Sequence, residues 1–301
     1  MRKNVGFACK LFGRNMPSMK SCILKNATFE RLLSVSKHNL DVLDFTLDYC
    51  AKNKIFLLRI GSDIIPFASH KDVIFDWKSI FHNELTSIGK KIKKLNIRVS
   101  MHPSAYTVIN SSNILVIENS IRDLKWHSDF LCALDTSSSS KIVLHIGGVY
   151  NDRNASKQRF IDTFNELPEG IKKRIILEND EKCYSIDCVL DICHEIGIPA
   201  VFDVLHNSVF PSIRYSSDRE CILACKETWR DYDGIQKIHY SQQAIGKKIG
   251  SHSETIDIED FLHFYSTVAD IDLDIMLEVK DKNVSAIKCI QALEEFQSKK
   301  I

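Results

Sequence analysis

Eight short apolar runs recur along this 301-residue chain: Val5–Ala8, Ile55–Ile60, Ile97–Met101, Ile142–His145, Ile175–Glu178, Ala200–Asp203, Ile238–Tyr240 and Ile275–Val279. They are continuous rather than alternating, as strands covered on both faces must be. Helical stripes separate them. Phe81, Leu85, Ile88, Ile92 and Leu95 step by fours and threes, as do Ile117, Ile121, Leu124, Leu131 and Leu134. Ile186, Val189, Leu190, Cys193 and Ile196 form another stripe, closed by Gly197 and Pro199, and Val284, Ile287, Ile290, Leu293 and Phe296 form the last. Phe29–Cys50 reads as helical but less regular, compatible with two helices. Eight strand-then-helix units predict an α/β fold, a (β/α)8 TIM barrel occupying residues 1–301 as a single domain. A doubly wound open sheet uses the same alternation, but no GxGxxG follows the first strand, where the chain reads Gly6-Phe7-Ala8-Cys9.

Composition narrows the function classes. Gly (11) and Pro (6) are scarce, which excludes collagen-like and linker-rich architectures. A net charge of +1 supplies no global positive field, so nucleic-acid binding must rest on a local patch. Ten cysteines are spread over the chain without a CxxC pair, and residues 1–25 lack the apolar core of a signal peptide. Free thiols, a reducing intracellular (cytoplasmic) setting and no membrane span are expected. Cys221 and Cys225, one helical turn apart, are expected to pack in the core.

The chemistry lies at the strand ends. His102, His145, Glu178, Asp203, His239 and Glu278 close or follow six successive predicted strands, spaced about one βα unit apart. In a barrel these positions converge on the C-terminal face, where active sites are built. Imidazoles and carboxylates gathered there repel or compete unless an ion binds them, so a metal centre is expected. Three more histidines are placed to join: His206, in Asp-x-x-His spacing with Asp203; His252, shortly after the seventh strand; and His70, after the second. Nine ligands exceed one tetrahedral ion and suit two or three divalent metals with bridging carboxylates. The histidine share favours Mn, Zn or Fe over Mg or Ca. His38, His82, His127, His194 and His263 fall within helical patterns and read as ordinary helix residues.

At these residues the chain resembles the UV damage endonuclease family, related to endonuclease IV. The matching stretches are Ile64-Ile65-Pro66 with His70, His102-Pro103 with Tyr106, His145-Ile146-Gly147-Gly148 with Tyr150, Leu177-Glu178-Asn179-Asp180, Phe202-Asp203 with His206, Lys237-Ile238-His239-Tyr240-Ser241, Ser251-His252 and Leu277-Glu278-Val279-Lys280. The resemblance implies a barrel with up to three metals, usually Mn, held by the nine residues above. It also implies incision of the backbone immediately 5′ to a photoproduct (cyclobutane dimer or 6-4 photoproduct) in double-stranded DNA, leaving 3′-hydroxyl and 5′-phosphate. Lys237 matches a lysine that the family carboxylates beside the cluster, although its position in the sequence reads equally as a phosphate-binding ammonium; Glu178 and Lys237 are the catalytic candidates. A monomer is expected.

Two positions depart from the family. Its usual His-Pro-x-Gln-aromatic loop reads His102-Pro103-Ser104-Ala105-Tyr106 here, and Phe7 stands where some members have Tyr. The resemblance makes Phe7, Ala105 and Tyr106 lesion-probing positions, with Tyr106 as the wedge into the stack. Lys247 and Lys248, between His239 and His252, are phosphate-contact candidates, with Arg153 and Lys157 behind them; the run Lys90, Lys91, Lys93, Lys94 reads as a solvated helix face. The competing readings are an abasic-site endonuclease, a metal-dependent sugar isomerase on the same barrel, and a non-catalytic DNA-binding or metal-storage protein.

Overall fold

A computed structural model describes residues 4–298. Eight parallel strands, β1 (Asn4–Cys9), β2 (Leu57–Ile60), β3 (Arg98–Met101), β4 (Ile142–His145), β5 (Ile175–Glu178), β6 (Ala200–Asp203), β7 (Lys237–Tyr240) and β8 (Asp274–Leu277), follow one another round a closed barrel. The ring closes where Val5 and Phe7 of β1 register against Ile275 and Leu277 of β8. The expected TIM barrel is therefore what forms, with each strand within about two residues of its apolar run. Among the described residues, no helix is long and apolar enough to cross a membrane.

Alternate residues divide between two environments. Val5, Phe7, Leu58, Ile60, Ile142, Leu144, Ile175 and Leu177 belong to the main core beneath the helices. Their neighbours Ala8, Leu57 and Met276, and separately Val143, Ile176 and Val201, form two small clusters of their own. Period-two alternation makes these the barrel interior. Gly6 is required on the inner side of β1, because a Cβ there would stand 2.1 Å from the Leu57 carbonyl oxygen.

The interior also holds charge. Towards the N-terminal ends of the strands, the Arg98 guanidinium meets Asp274 at 2.8 Å and also donates to the carbonyls of Ser139, Asp233 and Ile235. Asp274 accepts a further bond from Asn4 at 2.9 Å. Lys141 is paired with Asp233 and donates to the Lys173 carbonyl at 2.7 Å.

The first crossover helix, Phe29–Lys52, is one helix rather than two. Its apolar stripe is interrupted by buried Ser36, Asn39 and Thr46. Asn39 exchanges hydrogen bonds with the backbone of Lys20 and donates to the carbonyls of Asp63 and Ile64, tying down the loops after β1 and β2. The helix Ile186–Ile196 stops at Gly197, whose φ of +72° is the left-handed stop expected there. In the helix His82–Leu95, Lys91 bonds Asp44 and Asp48 of the first helix and Lys93 pairs with Asp135, so these members of the basic run serve helix packing. All ten cysteines are free thiols, and Cys221 and Cys225 are buried in the helix Asp218–Lys226.

Candidate metal centre

Strand register brings the chemistry together. His145 lies beside Glu178, and Asp203 beside His239, as paired positions on neighbouring strands. Each is in phase with the interior residue two places before it: Val143, Ile176, Val201 or Lys237. All four side chains therefore point into the barrel mouth.

Glu178 is the hub. It is 1% exposed, and its two carboxylate oxygens face different groups. Oε2 lies 3.1 Å from His102 Nε2 and 3.6 Å from His145 Nε2. Oε1 lies 2.8 Å from a ring nitrogen of His239 and 3.7 Å from one of His206. His239 is also 3.0 Å from Glu278. Two sets of donor atoms lie within 4.8 Å of one another, His102–His145–Glu178 and Glu178–Asp203–His239, and they share Glu178. Five imidazoles form a continuous row, with ring centroids 6.2 Å apart from His239 to His102, then 5.2 Å to His145, 5.8 Å to His206 and 6.2 Å to His252.

The donor set fits divalent ions. Asp203 Oδ2, His239 Nε2 and His145 Nδ1 are buried with no hydrogen-bond partner, in a place where such atoms ordinarily find one. Burial alone would raise the Glu178 carboxyl, but the imidazoles of His239 and His145 and hydrogen bonds from His102 and His239 hold it well below the usual range. Burial pushes Asp203 up to about 6 and His102 down to about 4, whereas Asp203 and Glu178 outweigh burial at His206 and raise it to about 9. Neighbouring groups are thus shifted in opposite directions by burial and by one another, the kind of clustered perturbation that marks a functional-site candidate.

The sequence-selected residues divide. His102, His145, Glu178, Asp203, His206, His239, His252 and Glu278 surround one mouth; His252 bonds the Glu278 carbonyl through Nδ1. His70 stands apart, its Nδ1 accepting from the Asp72 amide at 3.2 Å and its ring against Phe67. Lys237 is 1% exposed, one inward position below His239, and burial with the nearby Arg98 and Arg59 holds its amine well below the lysine range. Phe7 requires a correction as a lesion-probing residue. It is fully buried on the outer face of β1, packed under the helices, and does not reach the cleft. Ala105 is exposed and Tyr106 is 88% exposed; both line a cavity of about 650 Å³ that also touches His102, His145, His206 and Glu278. Lys247 and Lys248 are exposed on the hairpin that His252 closes by pairing with Gln243. Of the second-rank cations, Lys157 lies 3.5 Å from Asp191 and Arg153 sits over the Phe210 ring.

Two supporting residues escaped the sequence reading. Arg59, buried in β2, pairs with Glu278; its only sequence signal was a cation inside an apolar run. His127, read as an ordinary helix residue, is fully buried and bonds Ser62 Oγ at 2.9 Å. Ser62 in turn donates to the His102 carbonyl at 2.8 Å, fixing the backbone of a ligand candidate.

Comparison with known proteins agrees with this geometry. The family model described as UV-endonuclease UvdE matches residues 15–301. A UV DNA damage endonuclease of Clostridium perfringens (strain 13 / Type A) is 44% identical over 97% of this chain and 71% of its own. One from Bacillus velezensis is 32% identical over 90% and 85%. Among solved structures, that of SacUVDE superposes with a TM-score of 0.93 at 37% identity, covering 98% of this chain and 99% of that one. Endonuclease IV from Thermus thermophilus, with a TM-score of 0.58 at 12% identity over 97% and 99%, shares the fold. A barrel whose strand ends gather carboxylates and imidazoles beside an open cleft, matched along nearly its whole length, makes this chain a member of the UV-endonuclease UvdE family, nucleases that cut DNA at UV damage.

Proposed function

We propose that this endonuclease nicks double-stranded DNA immediately 5′ to cyclobutane dimers and 6-4 photoproducts, leaving 3′-hydroxyl and 5′-phosphate ends, and that it depends on two or three divalent ions, with Mn the best fit. The observation that carries the reading is Glu178, whose two oxygens belong to two donor sets at once, the arrangement of a bridging carboxylate. Ions so held supply positive charge for an in-line attack on a phosphodiester. His102 and His145 serve one side of Glu178, Asp203 and His239 the other, and Glu278 completes the second group. His206 and His252 extend the row for a further ion, and His70 would have to move to join it.

The chain's other residues bind and orient. Tyr106 enters the stack and Lys247 and Lys248 contact phosphates; unstacking costs on the order of a few kcal/mol, less at a distorted lesion, and that difference supplies selectivity. Ala105 offers only a methyl where an amide could read base edges. A neutral Lys237 amine adds carbon dioxide and releases a proton, and the resulting carboxylate faces the cluster from below. The chain acts as a monomer and a single domain inside the cell.

The test is incision of duplexes carrying one dimer, one 6-4 photoproduct or one abasic site, with the ends mapped and the metal content measured. A nick one bond 5′ to the photoproducts, lost on chelation and restored by Mn, is expected. Incision confined to the abasic duplex, or a metal-free protein of full activity, overturns the reading.

A further inference from the structure

Tyr150 carries the other open aromatic ring beside the cleft. It is 41% exposed and lines the same cavity of about 650 Å³ as Tyr106 and His145. Its backbone has a φ of +44°, and the next residue, Asn151, has +66°. Together they form a tight turn closed by the Asp152 amide donating to the Val149 carbonyl at 2.9 Å. Two successive left-handed residues suit Asn or Gly, and a tyrosine at the first of them is a true outlier. Such a position persists only where the surroundings hold it, and the surroundings here are built to do so.

Gly148, two residues earlier, is held at its carbonyl by Asn110 at 2.8 Å and by the Tyr184 hydroxyl at 3.2 Å, both fully buried residues. Val149 is held by Ser156, which donates to its carbonyl at 2.6 Å. The tyrosine ring packs beside Gly148: a Cβ there would come within 3.2 Å of its Cε2 and Cζ. Arg159 stands over the ring, 5.5 Å from its centroid. That guanidinium is itself pinned by the Asn110 carbonyl at 3.0 Å and Ser156 Oγ at 2.8 Å. The ring is therefore backed by a fixed cation, edged by bare backbone at Gly148, and exposed beside the cavity that contains the metal-ligand candidates. A planar, rigidly backed aromatic in a cavity of nucleotide dimensions suits a nucleobase, because every base offers a π face.

We propose that Tyr150 is a stacking platform for one base of the incised strand, holding that nucleotide in the cleft while its phosphodiester lies over the strand-end ligands. The proposal rests on the DNA-incision reading and adds a second aromatic contact to it. Stacking of one base is worth about tenfold in affinity.

The test compares Tyr150→Phe, Tyr150→Gly and Arg159→Met with the wild type on a single-dimer duplex. Tyr150→Phe keeps KM. Tyr150→Gly raises KM about tenfold with kcat within about twofold and metal content unchanged, while its Tm stays level or rises, because glycine relieves the left-handed turn. Arg159→Met leaves that turn intact and gives a smaller rise in KM. A Tyr150→Gly enzyme with wild-type KM overturns the proposal, as does a lowered Tm with unchanged KM, which would make the ring part of the scaffold. If Tyr150→Gly fails to fold, Arg159→Met decides, and unchanged KM there overturns the proposal. A wild-type enzyme that leaves the dimer duplex uncut refutes the incision reading instead, so the two failures are distinct.

Discussion

The two ends of the barrel interior both bury charge, and they treat it differently. At the N-terminal end, Arg98, Asp274, Lys141 and Asp233 are matched cation to anion, and spare donors go to carbonyls or to neighbouring side chains. At the C-terminal end, three carboxylates and five imidazoles share one cation of fixed charge, Arg59, and leave Asp203 Oδ2, His239 Nε2 and His145 Nδ1 without partners. Burial alone does not separate the two layers. Satisfaction does: the ion pairs of the lower network are complete within the protein, whereas the upper one keeps buried atoms without partners that a bound ion would satisfy.

The sharpest way to break the comparison is to exchange the consequences of mutation. Glu178→Ala should abolish incision, by about a thousandfold or more, because it removes the oxygens common to both donor sets. The fold should remain, as read by circular dichroism, and the bound metal should fall by at least one ion. Full activity in this variant would remove the distinction between the layers.

Asp274→Ala should do the opposite. It strands Arg98 and Asn4 in the lower layer, at a cost of about 3–5 kcal/mol for a broken buried pair. Denaturant unfolding should show the loss, while metal content and incision per folded molecule hold. Loss of metal at unchanged stability would mean that the lower network serves the site directly.

A smaller effect is carried by pH. In metal-free protein His206 is raised to about 9 by Asp203 and Glu178. Its protonated form is favoured by folding, so its stabilising contribution is full below the ordinary histidine value near 6.5 and is lost as pH rises to 9. The Tm advantage of metal-free wild type over His206→Gln should therefore shrink between pH 6.5 and 9. Added Mn should remove this dependence, since the ion replaces the proton. An advantage that grows over this range would reverse the assigned charge.

Much of this was legible in the chain. The eight runs were readable because parallel strands covered on both faces must be continuously apolar, and Ile142–His145, Ile175–Glu178 and Ala200–Asp203 coincide with strands to the residue. A polar, metal-capable residue closing or following six of the eight runs marked the mouth, because charge where an apolar strand stops needs a partner. The first helix was less legible, since Asn39 interrupts its stripe in order to bond three loop carbonyls that lie far off in sequence.

The sequence by itself determined the alternation, the barrel and the six strand-end residues at its mouth, because those follow from local periodicity and from where the runs end; His206 and His252 were added by spacing and by their place after a strand. Only the tertiary structure decided which way alternate residues face. Both faces of these strands are apolar, so hydrophobicity has no period-two signal to tell Phe7, packed outward under the helices, from Ala8, pointing in. Only the tertiary structure, too, paired Arg59 with Glu278 and kept His70 in its own loop, since contacts between residues so far apart in the chain depend on strand register and loop path rather than on spacing.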